Sequence, residues 1–184
     1  DWERLRKPYR NTKKTTLVFF LHGNLCLATL YNEENKAEIE VKIKSEKTKN
    51  NNLLSEIIKR WEEENFVPLF VCEGSSYLKE KSIKSSPYLC NILSKAILSI
   101  EESLAIYGWS LRDEDGYILK NLQKLCGKKD KNGKITDQKL KRIAISVHQN
   151  NKNFAEKIEK KLKTELKNVS IDFYHANRLD CWIY

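Results

Sequence analysis

The sequence contains no methionine at all, and it begins with Asp1. Translation starts with methionine, so the expectation is a processed or truncated product. It would be the C-terminal portion of a longer protein, a single domain over 1–184 with 1–14 as the remnant of a linker. No apolar run comes near the roughly 20 residues that span a bilayer, which excludes a transmembrane helix and predicts no membrane partner. The five cysteines (Cys26, Cys72, Cys90, Cys126 and Cys181) include no CxxC pair. An odd count with wide spacing speaks against a disulfide framework and against a zinc site. Cys26, Cys72 and Cys90 stand in apolar stretches, as reduced thiols of a core do, and this predicts a reducing, cytoplasmic location. Internal repeats and low-complexity linkers are missing too.

Negative charge is the scarcer sign. The 34 Lys and Arg outnumber 25 Asp and Glu, giving a net charge of +9. Such a balance is one mark of a nucleic-acid surface. Here, however, the cations are spread along the chain and mostly alternate with glutamate. The densest pieces are 4–14, RLRKPYRNTKK, and 128–142, KKDKNGKITDQKLKR. The second contains Asn-Gly turn chemistry and reads as a solvated loop, with 127–139 among the least structured parts of the chain. A basic nucleic-acid-binding domain therefore stands as an alternative, not as the favoured reading.

With 184 residues, 40% of them hydrophobic, the chain is long enough to build a real core. Residues 17–21, LVFFL, read as a fully buried strand, continued by a second short strand at 25–30. Residues 38–44, EIEVKIK, alternate as a half-exposed strand does, and 53–64 place Leu53, Leu54, Ile57, Ile58 and Trp61 on one helical face. An apolar strand at 67–74 follows, then a helix over 86–98 opened by Ser86 and Pro87, a cap and a favoured first residue. Further strands are expected at 104–108, 143–147 and 169–174. Helices are expected over 113–125, striped by Tyr117, Ile118, Leu122 and Leu125, and over 151–167, where Phe154, Ile158, Leu162 and Leu166 recur every four residues. Strand and helix thus alternate from about residue 67 onward. The predicted fold class is α/β, a Rossmann-like parallel sheet with helices on both faces, incomplete at its N-terminal side.

Only six glycines occur, and three of them punctuate strand ends. These are His22-Gly23-Asn24, Glu73-Gly74-Ser75-Ser76 and Gly108-Trp109-Ser110-Leu111. In an open parallel sheet, ligands bind beyond the carboxyl ends of the strands. Glycine lets a backbone turn sharply and a ligand approach it, small hydroxyls can donate to phosphate or ribose oxygens, and a following helix favours anions. Each feature also has a plain reading. Glycine is ordinary at a strand-to-helix turn, Ser110, Asp113 and Asp115 fit as helix caps, and His22 fits as a histidine satisfied by a backbone carbonyl. Imidazole titrates near neutrality, so a histidine in this position also fits a general base.

Taken in order, FLHGNLCL at 20–27, PLFVCEGSSYLKEKSIKSSPYL at 68–89 and AIYGWSLRDEDGYIL at 105–119 resemble the C-terminal part of the sirtuin-like NAD-consuming fold. They are most similar to an uncharacterised bacterial sirtuin-like family, over about residues 17–148. The resemblance implies NAD as substrate or ligand. It implies that His22 is the catalytic base acting on the nicotinamide ribose hydroxyls, and that Gly108, Ser110 and Leu111 contact the cofactor. Gly23, Glu73, Gly74 and Ser75 would line the same cleft. Cleaving the nicotinamide–ribose bond passes through a cationic sugar-like state, as in glycoside cleavage, and a base beside the hydroxyls suits that chemistry. The family's glycine-rich phosphate loop is absent from residues 1–16, and so is the Asn-x-Asp motif that precedes its His-Gly pair. The expected partner is accordingly the missing N-terminal half of the fold, covalently attached or as a separate chain. Absence of the CxxC module points away from peptide deacetylation and toward NAD hydrolysis. A non-catalytic nucleotide- or partner-binding module on the same fold is the second reading.

Overall fold

The computed structural model describes residues 17–32, 36–44, 52–63, 66–147 and 152–176. The expected linker at 1–14 lies outside these residues. The chain forms two compact units, divided between Leu93 and Ser94.

The first unit is built on an antiparallel sheet of β1 (Gly23–Asn32), β2 (Ala37–Lys42) and β3 (Phe66–Phe70), in the order β2-β1-β3. Pro68 explains why β3 lies at an edge, since proline has no N–H to give to a second neighbour. Between Gly23↔Phe70 and Ala28↔Pro68 the pairing of β1 and β3 slips, leaving a bulge. Inside it the Asn24 side chain accepts from the amide of Cys26 at 2.8 Å. Helix α1 (Leu53–Trp61) starts at Asn52, whose Oδ1 accepts from Ser55 N at 2.8 Å. Helix α2 (Ser76–Ser85) is capped by Ser75, and α3 (Pro87–Asn91) by Ser86, with Pro87 in the first turn as the sequence predicts. Glu40 of β2 reinforces that start: it accepts from Tyr88 N at 2.8 Å and from the Ser86 hydroxyl. A carboxylate is favourable at the positive end of a helix. A π turn (Ile92–Ala96) and a 3-10 turn (Ile97–Ser99) follow in the chain. Ala28, Ile57, Ile83 and Leu89 supply the buried interior of this unit.

The second unit has a three-stranded parallel sheet, β4 (Glu102–Ile106), β7 (Leu140–Val147) and β8 (Ser170–His175), in the order β4-β7-β8. The central strand β7 is the most buried, with Leu140, Ile143 and Ile145 fully enclosed. A run of that kind is what a strand with neighbours on both sides requires. Between β4 and β7 lie α4 (Gly116–Gln123) and a hairpin of β5 (Cys126–Lys129) and β6 (Ile135–Gln138). Between β7 and β8 lies α5 (Lys152–Glu165). Its four-residue spacing works as read from the sequence: Ile158, Leu162 and Leu166 join the core, and Phe154 packs against it.

Several expectations are corrected. Residues 17–20 form no strand, and Leu17, Val18 and Phe20 are exposed; the strand starts only at Gly23. The strand expected at 67–74 ends at Phe70 and is the antiparallel edge strand β3, not a member of the parallel sheet. None of its residues is buried and Val67 and Phe70 are exposed, so the apolar run marks neither burial nor the direction of its neighbour. On α1 only Ile57 of the predicted apolar face is buried; Leu53, Leu54, Ile58 and Trp61 are exposed. The solvated loop at 127–139 is the β5–β6 hairpin, although its Asn132-Gly133 turn chemistry is where the sequence places it. Cys72 is exposed and Cys26 and Cys90 are half-buried; among the described residues the buried thiol is Cys126, and burial pushes its pKa up. All four described cysteines are free thiols.

Candidate functional site

The third glycine turn occupies the position that an α/β sheet reserves for ligands. It leaves the carboxyl end of β4, beside the carboxyl end of its parallel neighbour β7. Gly108 is left-handed, with φ +69°, and a Cβ there would meet nothing within 4 Å. Its backbone face is therefore open to approach, while its amide donates to Ser146 Oγ of β7 at 3.1 Å. Behind the turn, the Tyr174 hydroxyl of β8 donates to the carbonyl of Ile106 at 3.0 Å and so ties down the last residue of β4. Trp109 donates from its indole to Asp115 Oδ2 at 3.0 Å. Ser110 is exposed. Leu111 is only 2% exposed yet also left-handed, with φ 52°. Its carbonyl accepts from Lys161 Nζ of α5 at 2.8 Å, and the same ammonium pairs with Asp113 Oδ1 at 2.6 Å. That hydrogen bond and charge hold the Asp113 carboxyl below the usual carboxylate range.

These bonds replace the cap roles expected for Asp113 and Asp115. Residues 113–115 form a 3-10 turn without a side-chain cap, and α4 begins at Gly116 with no cap bond from Asp115. Beside the turn lies a cleft of about 440 Å³. Ser110 and Arg112 line one side of it, and Phe154, Lys157, Ile158 and Lys161 of α5 the other. Asp113 and Glu114 line it too, so an aromatic and aliphatic patch is bordered by a rim of mixed charge, suited to a ring system with polar substituents.

The first two glycine turns belong to the first unit and lie close together. Leu21 and His22 are the middle of a tight turn in which Gly23 N donates to Phe20 O at 3.0 Å. The carbonyl of His22 accepts from Val71 N at 2.8 Å, so the chain leaving β3 runs past His22 two residues before Glu73. Gly23 has φ +75°, and a Cβ there would stand 1.9 Å from the carbonyl oxygen of Leu69. This glycine is demanded by the close approach of β3. Gly74 has φ +124°; Glu73 and Ser75 are exposed, and Ser75 spends its oxygen on the α2 cap. A second cleft, of about 470 Å³, adjoins the turn and is lined by Phe20, Asn24, Leu27, Leu69, Glu40 and Tyr88. Burial, helped by the charge of Glu40, pushes the Tyr88 phenol up.

The structure thus brings His22, Gly23, Glu73, Gly74 and Ser75 into one region of the first unit, and Gly108, Ser110 and Leu111 into one turn of the second. Sequence reasoning missed Ser146 and Lys161. A signal existed for Ser146, the one hydroxyl within the apolar run 143–147. None existed for Lys161, which looks like any solvated lysine of a charged helix. Among the described residues, no three His, Cys, Asp or Glu side chains gather as metal ligands. None of the described helices is long and apolar enough to cross a membrane.

The fold and these turns define a mixed α/β protein in which one parallel strand, β4, leads into an open, glycine-led turn. The chain belongs to the family described as a domain of unknown function, DUF4917, which matches residues 1–182. No curated protein and no solved structure matches it.

Proposed function

We propose that the chain is part of a sirtuin-like, NAD-binding protein that cleaves the nicotinamide–ribose bond of NAD. One observation carries this reading: the Gly108–Leu111 turn, with its open glycine face and exposed Ser110, at the carboxyl ends of parallel strands. In this reading β4, β7 and β8 belong to a Rossmann-like sheet. The loop that holds the pyrophosphate is supplied by an N-terminal partner segment outside residues 1–184. Gly108 admits the ligand to the backbone, Ser110 offers a hydroxyl to a ribose oxygen, and Phe154 and Ile158 give the cleft an apolar floor. The resemblance also gives His22 the role of the base on a ribose hydroxyl and groups it with Gly23, Glu73, Gly74 and Ser75, all of the first unit.

A second reading, a nucleotide-binding module without catalysis, is favoured by Gly23. The close approach of Leu69 already accounts for the glycine of the His-Gly pair without any ligand. The test is a calorimetric titration of NAD into the protein together with the N-terminal segment that supplies the pyrophosphate loop, with chromatographic measurement of nicotinamide release. Release that vanishes in His22→Ala while NAD still binds supports the enzyme. Saturable binding without release, in the wild type, supports the module. Absence of both overturns the NAD reading.

A further inference from the structure

We infer that Lys161 is a positioning residue, which together with Ser146 clamps the Gly108–Leu111 turn into the shape that meets the ligand. The ligand is NAD in this inference, which rests on the proposed function above. The turn needs a clamp. Two of its four residues are left-handed, and one of them is a leucine, φ 52°. That conformation is unfavourable for an L-residue, so the surroundings must hold it in place. Burial of the Leu111 side chain fixes one side of the residue. The other side is fixed by the Lys161 ammonium on its carbonyl, 2.8 Å away. At the opposite end of the turn, Ser146 accepts from Gly108 N at 3.1 Å.

Several features distinguish this lysine from a surface charge. Its side chain is 24% exposed, whereas that of Asp113, its acidic partner, is 97% exposed. The ion pair with so exposed an acid contributes little by itself. The charge-assisted bond to the Leu111 carbonyl is part-buried, whereas the contact with Asp113 is exposed to solvent. The helix beneath it is rigidly placed, because Ile158 and Leu162 on the same helix are buried in the core. Finally, Ser146 already occupies the Gly108 amide. The ligand therefore meets the bare glycine face and the Ser110 hydroxyl, and Ser110 stands between two fixed neighbours: Trp109, tied to Asp115, and Leu111, tied to Lys161.

The experiment compares Lys161→Met, Lys161→Arg and Ser146→Ala in the protein that carries the N-terminal segment. NAD affinity is read by calorimetry, thermal unfolding by circular dichroism, and the Gly108 amide by nitrogen-15 NMR shift and hydrogen exchange. Expected for Lys161→Met is a folded protein whose NAD affinity falls about ten-fold or more, the scale of one charge-assisted hydrogen bond. Arginine, which keeps the charge and the donors, should restore most of that affinity. Ser146→Ala should speed Gly108 exchange and also weaken binding. Wild-type affinity in folded Lys161→Met overturns the clamp, as does equal loss in the methionine and arginine variants. Wild-type protein that takes up no NAD overturns the proposed function instead. The clamp then stands if the Gly108 signal moves in both Lys161→Met and Ser146→Ala, and falls if it does not.

Discussion

At the scale of single residues, two glycines with nearly the same backbone angle have opposite reasons to be glycine. Gly23 and Gly108 lie at φ +75° and +69°. A methyl on Gly23 would collide with the main chain of β3, whereas one on Gly108 would meet nothing. Gly23→Ala should therefore cost roughly 3 kcal/mol or more of stability, because strain and overpacking add. Gly108→Ala should cost only the strain, about 1 kcal/mol, but should lower NAD affinity about ten-fold or more by filling the open face. Urea unfolding of both variants, with NAD titration of the second, checks this. Equal stability losses would remove the steric distinction, and unchanged NAD affinity in folded Gly108→Ala would take that turn out of the site. The sequence shows both glycines equally well. It cannot show which one faces a neighbouring strand, because that depends on a β1–β3 pairing across more than forty residues of chain.

At the scale of elements, legibility follows the strength of the local pattern. Helix α5 is readable because Ile158, Leu162 and Leu166 recur at one spacing and point to one core. The start of α3 is readable because Ser86 is a local signal, satisfied by an amide three residues on, whereas α2 at Ser76–Ser85 is not among the expected helices. The hairpin β5–β6 is not: from Lys128 to Asp137 its residues are exposed, so burial imposes no alternation on them. Nor is β3 distinguishable from a parallel strand, since PLFV is apolar in either setting. The register of α5 gives a direct test. Leu162 is fully buried, so Leu162→Asp should destabilise the protein by about 3–5 kcal/mol, the penalty for an unpaired buried charge. Lys160→Asp, one turn face away, should shift unfolding far less. Similar thermal midpoints for the two variants would mean that α5 does not pack by this face.

At the scale of the whole molecule, the surplus of cations is what separates a small-molecule reading from a nucleic-acid one. The net charge is +9, and Lys128, Lys129, Lys131 and Lys134 stand exposed on the β5–β6 hairpin. Charge of this kind attracts any polyanion by releasing counterions, without regard to sequence. If those four lysines met duplex phosphates, affinity should fall about 100-fold between roughly 50 and 200 mM salt. NAD has two phosphates, and its binding at a turn built from backbone, a serine and an apolar floor should depend on salt far more weakly. The expected outcome is therefore a contrast: weak, sequence-independent DNA binding that is lost by about 200 mM salt, beside an NAD affinity that changes little over the same range. Fluorescence anisotropy with a labelled duplex, run in parallel with NAD calorimetry, measures both. DNA binding that survives at the higher salt and prefers one sequence would mean that base contacts, not surplus charge, hold the duplex. The hairpin, and not the Gly108 turn, would then be the functional surface of this chain.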